Sequence, residues 1–271
     1  VTSELSKEVS NCHHWLTNNN LSMHMGKTEA IILCSKRKRG LINNISIDCE
    51  GHSIKPSKEV KYLGLKMDNT LSGETTVSQI IAKCSAKLKF LYRNADVLDF
   101  QSRKLLVFAL LQCHFDYAVS AWFWSLTKGA QKRLQVLQNK IVRFILDLGP
   151  RSHVGQNELD RAGMLRTKDR AKQLMLNHMY NVYHQFAPSY ICQNFNRISH
   201  RYNTRHMESN FFLQKPRGID DQNFSYQGVL AWNNLPNVVK TVNSKDLFKV
   251  KVKQFLKAQA HLNEISATVT H

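Results

Sequence analysis

Carboxylates are scarce in this sequence. Asp and Glu together number 20 among 271 residues, against 38 Lys and Arg, so the formal net charge is +18. So basic a chain repels itself unless something anionic is near, and nucleic acid is the usual partner. A membrane surface is the other anionic candidate, but a lipid-binding helix sets its bases beside a large apolar face, and none is read here. Nor is there a signal peptide or an apolar run long enough to span a bilayer. The six cysteines, at 12, 34, 49, 84, 113 and 192, contain no C-x-x-C pair. They read as reduced core thiols of an intracellular protein, in nucleus or cytoplasm. His13-His14, Cys113-His114 and Cys192 with His200 and His206 lack the spacing of a zinc finger or knuckle, so no metal is expected. G-x-S-x-G, a P-loop and H-E-x-x-H are missing, as are repeats and low-complexity tracts.

What is present is enough apolar residue, 42% of the chain, to build a core. Leu5, Val9, Cys12 and Leu16 recur at helical spacing with Trp15 beside them, which predicts a helix over 3–19, stopped by the asparagines at 18–20. Residues 28–35 read as a strand buried on both faces, 45–49 and 60–67 as two more, with a basic turn at Lys36–Gly40 and another turn at Glu50-Gly51-His52. From about 72 the period becomes helical. Val77, Ile80, Ile81, Cys84, Leu88 and Leu91 line one face. Asp99 is placed to cap a second helix through Leu105, Leu106, Phe108 and Leu111; a third runs from about Gly129 to Leu148, ended by Gly149-Pro150. Beyond lie a helix over 168–186, an irregular basic stretch over 196–224, and a last helix capped by Ser244. The fold class expected is α+β at the N-terminus, a helix with a small antiparallel sheet, and then mainly α. The chain opens on Val1 with residues that already read as mid-structure, so a fragment is expected.

Five short motifs occur in a telling order. They are Trp15…Asn20-Leu21…Lys27-Thr28; Tyr62-Leu63-Gly64; Gln138-Asn139…Arg143; Arg201-Tyr202-Asn203-Thr204-Arg205; and Trp232-Asn233-Asn234-Leu235-Pro236. Together they resemble the C-terminal part of a jockey-like non-LTR retrotransposon reverse transcriptase. The resemblance implies the end of the palm over 1–70, a thumb-like helical bundle over 71–150 and a basic, mostly helical C-terminal region over 151–271. In such a polymerase two Mg2+ ions held by clustered aspartates carry phosphoryl transfer. Those aspartates precede the part of the family that this chain resembles, so the chain alone is expected to need no cofactor and to be inactive. The missing palm and fingers would be its partners in an intact enzyme. Asp220-Asp221, the sole adjacent acidic pair, reads as a solvated turn.

The same resemblance singles out residues. Lys27 would lie beside the nucleotide site as an accessory cation; the bare sequence suits a solvated lysine equally. Tyr62, Leu63 and Gly64 would form a primer grip on the second strand of a hairpin, where a glycine lets backbone approach nucleic acid; they also suit a core strand. Lys83, Lys87 and Arg93, with Lys128, Lys132, Arg133, Lys140 and Arg143, would track the backbone of RNA, DNA or a hybrid. A solvated helix face is the plain alternative, against which Lys83–Arg93 contains no carboxylate. Arg161, Arg166, Lys168, Arg170, Lys172 and Arg197 continue the basic character. Arg201, Tyr202 and Arg205 suit phosphate contact with base stacking, or an internal arginine–aromatic stack. Trp232, Leu235 and Pro236 read as packing. Two other readings stand beside this one: an unrelated basic helical nucleic-acid-binding module, and a decayed element remnant without function.

Overall fold

The computed structural model describes residues 2–34, 45–198, 209–214 and 220–269. Its fold is the expected one: 63% helical, with all strands of the described residues near the N-terminus. The chain divides into two compact units, 1–79 and 80–271. The helices on both sides of residue 150 belong to the second unit.

In the first unit, α1 (Thr2–Asn18) ends where the asparagines predicted, and the reason is a Schellman closure. Asn20 takes the left-handed conformation (φ 56°), the Leu21 N–H reaches back to the Leu16 carbonyl at 2.9 Å, and the Asn20 N–H to Thr17 at 3.0 Å. Two antiparallel hairpins follow, β1 (Ile47–Cys49) with β2 (His52–Ile54), and β3 (Glu59–Tyr62) with β4 (Leu65–Asp68). Each closes through a two-residue turn in which both residues have positive φ: Glu50-Gly51 at 50° and 79°, Leu63-Gly64 at 46° and 86°. Glycine takes that conformation without strain; Glu50 and Leu63 do not.

Two expectations fail here. The strand over 28–35 is absent: the described part of that segment contributes a single bridge, Ile31 to Ser57, and Leu33 is exposed. Its backbone meets neighbours only at isolated points, the Ser57 N–H on the Ala30 carbonyl at 2.7 Å and the Cys34 N–H on the Asn69 carbonyl at 2.9 Å, which do not make a continuous ladder. The single strand read over 60–67 is a whole hairpin, folded at Leu63-Gly64. Asp68 then accepts hydrogen bonds from the backbone N–H and hydroxyl of both Thr70 and Ser72, organising the entry to the next helix.

That helix, α2 (Glu74–Arg93), carries the chain into the second unit and buries Val77, Ile80, Cys84, Leu88 and Leu91 of its predicted stripe, with Ile81 half-buried at its edge. Asp99 caps α3 (Phe100–Val107) by accepting from the Ser102 N–H at 2.8 Å. A π turn at Phe108–Gln112 continues it into the short α4 (Cys113–Asp116). Arg103, Val107 and Leu111, four residues apart, point inward, while Leu105 is exposed. Phe100–Ser125 becomes a 26-residue helical stretch that has the length and apolar composition of a membrane span. It is broken at Ala118, which is left-handed (φ 47°) before α5 (Val119–Trp122).

Thr127 caps α6 (Lys128–Leu146), which stops at a left-handed Asp147 rather than at Gly149-Pro150. Its buried stripe includes Leu134, Leu137, Ile141, Phe144 and Ile145, as predicted. The short α7 (Gln156–Ala162) leads to α8 (Thr167–Tyr183), which packs against α5, α6 and the last helix. α9 (Ser189–Cys192), α10 (Phe224–Asn233), α11 (Asn237–Lys240) and α12 (Lys245–Val269) complete the unit. Its core gathers Met175, Met179, Tyr180, Phe211, Val229, Trp232, Phe248 and Val252. The Trp-Asn-x-Leu-Pro motif is indeed packing. Trp232 is fully buried and donates to the Ser209 carbonyl at 2.9 Å, and the Asn233 amide clamps the backbone N–H and C=O of Phe211 at 3.0 and 2.8 Å.

Candidate nucleic-acid interface

The structure sorts the cations into two populations. One is spent inside the fold. Arg103 is buried, donates to the carbonyls of Leu98, Ala95 and Phe144, and pairs with Asp147 at 2.6 Å. Arg170 grips both oxygens of Asp116, at 3.0 and 2.7 Å, and Arg166 pairs with Glu264 at 2.7 Å. Lys257 and His261 share Asp160, at 2.6 and 2.7 Å. Burial alone would raise the Asp160 pKa, but the Lys257 and His261 hydrogen bonds outweigh it and hold the carboxyl below its ordinary value. Arg197 lies 4.4 Å from the ring centre of Tyr183, an internal cation–π contact. Arg143, proposed from sequence as a nucleic-acid contact, is half-buried and donates to the Ser152 carbonyl at 2.8 Å. Its Nε is therefore committed to holding the end of α6.

The other population faces solvent. Lys83 and Arg93 on α2, and Lys128, Lys132 and Lys140 on α6, are exposed and enter no ion pair among the described residues. Arg133 is exposed beside them. Lys128 and Lys132 are four apart on one stripe, and Arg133 and Lys140 seven apart on a neighbouring one. Lys87 is intermediate: it donates to the Leu110 carbonyl at 3.2 Å, on the π turn, and lies 2.8 Å from His114 Nε2. Burial first, then the charges of Lys87 and Lys83, lower the His114 pKa and keep the ring neutral at physiological pH.

Sequence periodicity missed the aromatics on this surface. Phe90 is 62% and Tyr92 48% exposed, interleaved with Lys89 and Arg93. The signal was available, since both lie off the Val77–Leu91 stripe and an apolar side chain on a polar face needs a reason. Tyr92 has part of one: its ring meets Phe144 edge-on at 5.0 Å. Phe90 continues the Lys83–Lys87 stripe and stacks on no other ring among the described residues.

In the first unit Lys27 is exposed at the end of a one-turn 3-10 helix, Met25–Lys27. Tyr62, Leu63 and Gly64 form the tip of the second hairpin, all exposed, rather than lying along its second strand. Arg201, Tyr202 and Arg205 lie outside the described residues, as does the Lys36–Gly40 turn. Asp220-Asp221 opens a one-turn 3-10 helix before α10, and no group of three carboxylates converges anywhere among the described residues. These residues do not fit a pair of Mg2+ ions. No family model, no curated protein and no solved structure matches the chain.

Proposed function

We propose that the chain binds nucleic acid through its phosphate backbone, using the exposed cations of α2 and α6, and that it is part of an RNA-directed DNA polymerase of a non-LTR retrotransposon. The observation that carries the binding is the partition of charge. Carboxylates pair with Arg103, Arg166, Arg170 and Lys257, and carbonyl or amide oxygens hold Arg143 and Lys240, while Lys83, Arg93, Lys128, Lys132 and Lys140 are left without ion-pair partners among the described residues. Phosphates are the counter-charge such a surface attracts, without regard to base sequence. Phe90 adds a ring on which an unpaired base can stack. The polymerase assignment rests on the order of the five motifs. It accounts for a first unit that displays Tyr62, Leu63, Leu33 and Trp15 to solvent, as an edge of a larger palm would.

Fluorescence anisotropy with a labelled RNA–DNA hybrid tests the binding. Affinity should fall steeply with salt, and each of Lys83→Glu, Lys132→Glu and Lys140→Glu should flatten the log–log salt slope by roughly 1. Phe90→Ala should weaken single-stranded ligands by about 1–3 kcal/mol and duplex far less. Absence of binding at low salt would end this reading. Magnesium-dependent primer extension by the chain alone would overturn the expectation that it is inactive.

A second reading, a basic helical binding module unrelated to polymerases, is favoured by one finding: the Lys27-Thr28 segment forms no strand, and Tyr62-Leu63-Gly64 sits at a turn. The coding DNA upstream of Val1 discriminates. An in-frame aromatic-Ala-Asp-Asp about a helix-length away supports the polymerase.

A further inference from the structure

We propose that His13, His14 and Glu50 form a binding site for a divalent transition-metal ion, zinc foremost, which clips α1 to the first hairpin. Thirty-odd residues separate the histidines from the glutamate, so no spacing pattern in the sequence reveals the set. Folding gathers them: one ligand atom from each lies within 4.8 Å of the others. All three belong to the first unit. β1 is held against α1 by the Asp48 N–H, which donates to Ser6 Oγ at 3.0 Å. That fastening brings the hairpin's turn to the helix.

Three details favour a metal over a simple ion pair. His14 Nε2 lies 3.3 Å from Glu50 Oε1. That is long for a charge-assisted hydrogen bond, at about 2.7–2.9 Å. It matches the edge of a tetrahedron whose metal–ligand bonds are about 2.0–2.1 Å, which is about 3.3–3.4 Å. Second, His13 Nδ1 is buried with no hydrogen-bond partner among the described residues, a lone pair or proton left without use. Third, Glu50 occupies a left-handed turn position (φ 50°) that disfavours a long side chain, where asparagine or glycine is the ordinary choice. Two imidazoles and one carboxylate suit zinc, with water in the fourth position; hard Ca2+ and Mg2+ want more oxygens. The side chains of His14 and Glu50 are 67% and 44% exposed, so an ion has an open path of entry. The clip acts in the unit with the smallest core, where one cross-link counts most.

Titration of the full chain with Zn2+ against a chromophoric chelator tests this, with Co2+ as a spectroscopic substitute. One tight equivalent is expected. His14→Ala and Glu50→Gln should each weaken it by more than the roughly 10–100-fold that loss of an outer-shell partner costs, and Cys12→Ser, one residue away, should leave it unchanged. The wild-type Co2+ complex should show the intense visible absorption of four-coordinate cobalt, and the His14→Ala/Glu50→Gln double variant should lose it. Since neither side chain is buried, circular dichroism should show both variants folded. A variant that misfolds is replaced by His13→Gln, held to the same expectation. Wild-type affinity in the variants, or loss of the tight equivalent in Cys12→Ser, would overturn the site.

Discussion

Residues 1–79 and 80–271 solve the problem of burial differently. In the first unit Ile47, Cys49 and Val77 are the only buried hydrophobic side chains among the described residues, and α1 leaves Leu5 and Trp15 in solvent. Its β structure is two separate two-stranded hairpins, a form that is marginal without packing. The second unit surrounds Trp232, Tyr180 and Phe248 with four helices and extends the same core through Met175, Met179 and Val252. Helices satisfy their own backbone, so a bundle needs only apolar stripes to cohere. A hairpin leaves edge groups that a third strand or another element must satisfy. Stability should therefore sit in the second unit and adaptability in the first. Hydrogen exchange read peptide by peptide should show β1–β4 exchanging well before α6 and α8.

The sharpest way to break that contrast is Trp232→Ala. Truncating a fully buried indole should cost about 3–5 kcal/mol in denaturant unfolding, and exchange protection should fall across α8, α10 and α12 with little change in β1–β4. Equal loss in both units would show that they fold as one. Arg103→Met comes next. It removes the donor from the buried Phe144 carbonyl and the part-buried Leu98 and Ala95 carbonyls, and a loss of about 2–4 kcal/mol is expected. Asp147→Asn should cost under about 1 kcal/mol, because Asp147 is 81% exposed and asparagine tolerates the left-handed C-terminal position.

Acid should sharpen the contrast further. At Asp68, burial raises the pKa, but hydrogen bonds from Thr70 and Ser72 prevail and lower it, as the Lys257 and His261 contacts do at Asp160. A carboxyl whose pKa is lower in the folded state adds stability above its unfolded pKa, near 4. That stability is lost as the pH falls through the folded value. Asp68→Asn should flatten the acid dependence of exchange in β3–β4 and the start of α2, and Asp160→Asn that of α7 and α12. Swapped or absent effects would refute the assignment. The smallest change is Leu63→Asn. It places Asn-Gly at a turn needing positive φ twice, and should stabilise the second hairpin by about 0.5–1 kcal/mol.

Local signals were legible wherever neighbours in sequence set the outcome. The α2 and α6 stripes, the Asp99 and Ser244 caps and the stop at Asn20 all depend on residues within a turn or two of one another. The strand at 28–35 was misread because a strand exists only through its partner, and the second hairpin because its Leu63-Gly64 turn lacks the usual Asn-Gly or Asp-Gly signal. The π turn at Phe108–Gln112 left no mark in the sequence.

By itself the sequence determined the excess of positive charge, the helical class of most of the chain and the order of motifs on which the polymerase reading rests, since composition and short-range periodicity need no partner. Only the tertiary structure decided which cations are spent on carboxylates and which face solvent. It alone turned Tyr62-Leu63-Gly64 into a tip and brought Glu50 to His13 and His14. Each of these depends on groups far apart along the chain, whose meeting is set by packing and not by spacing.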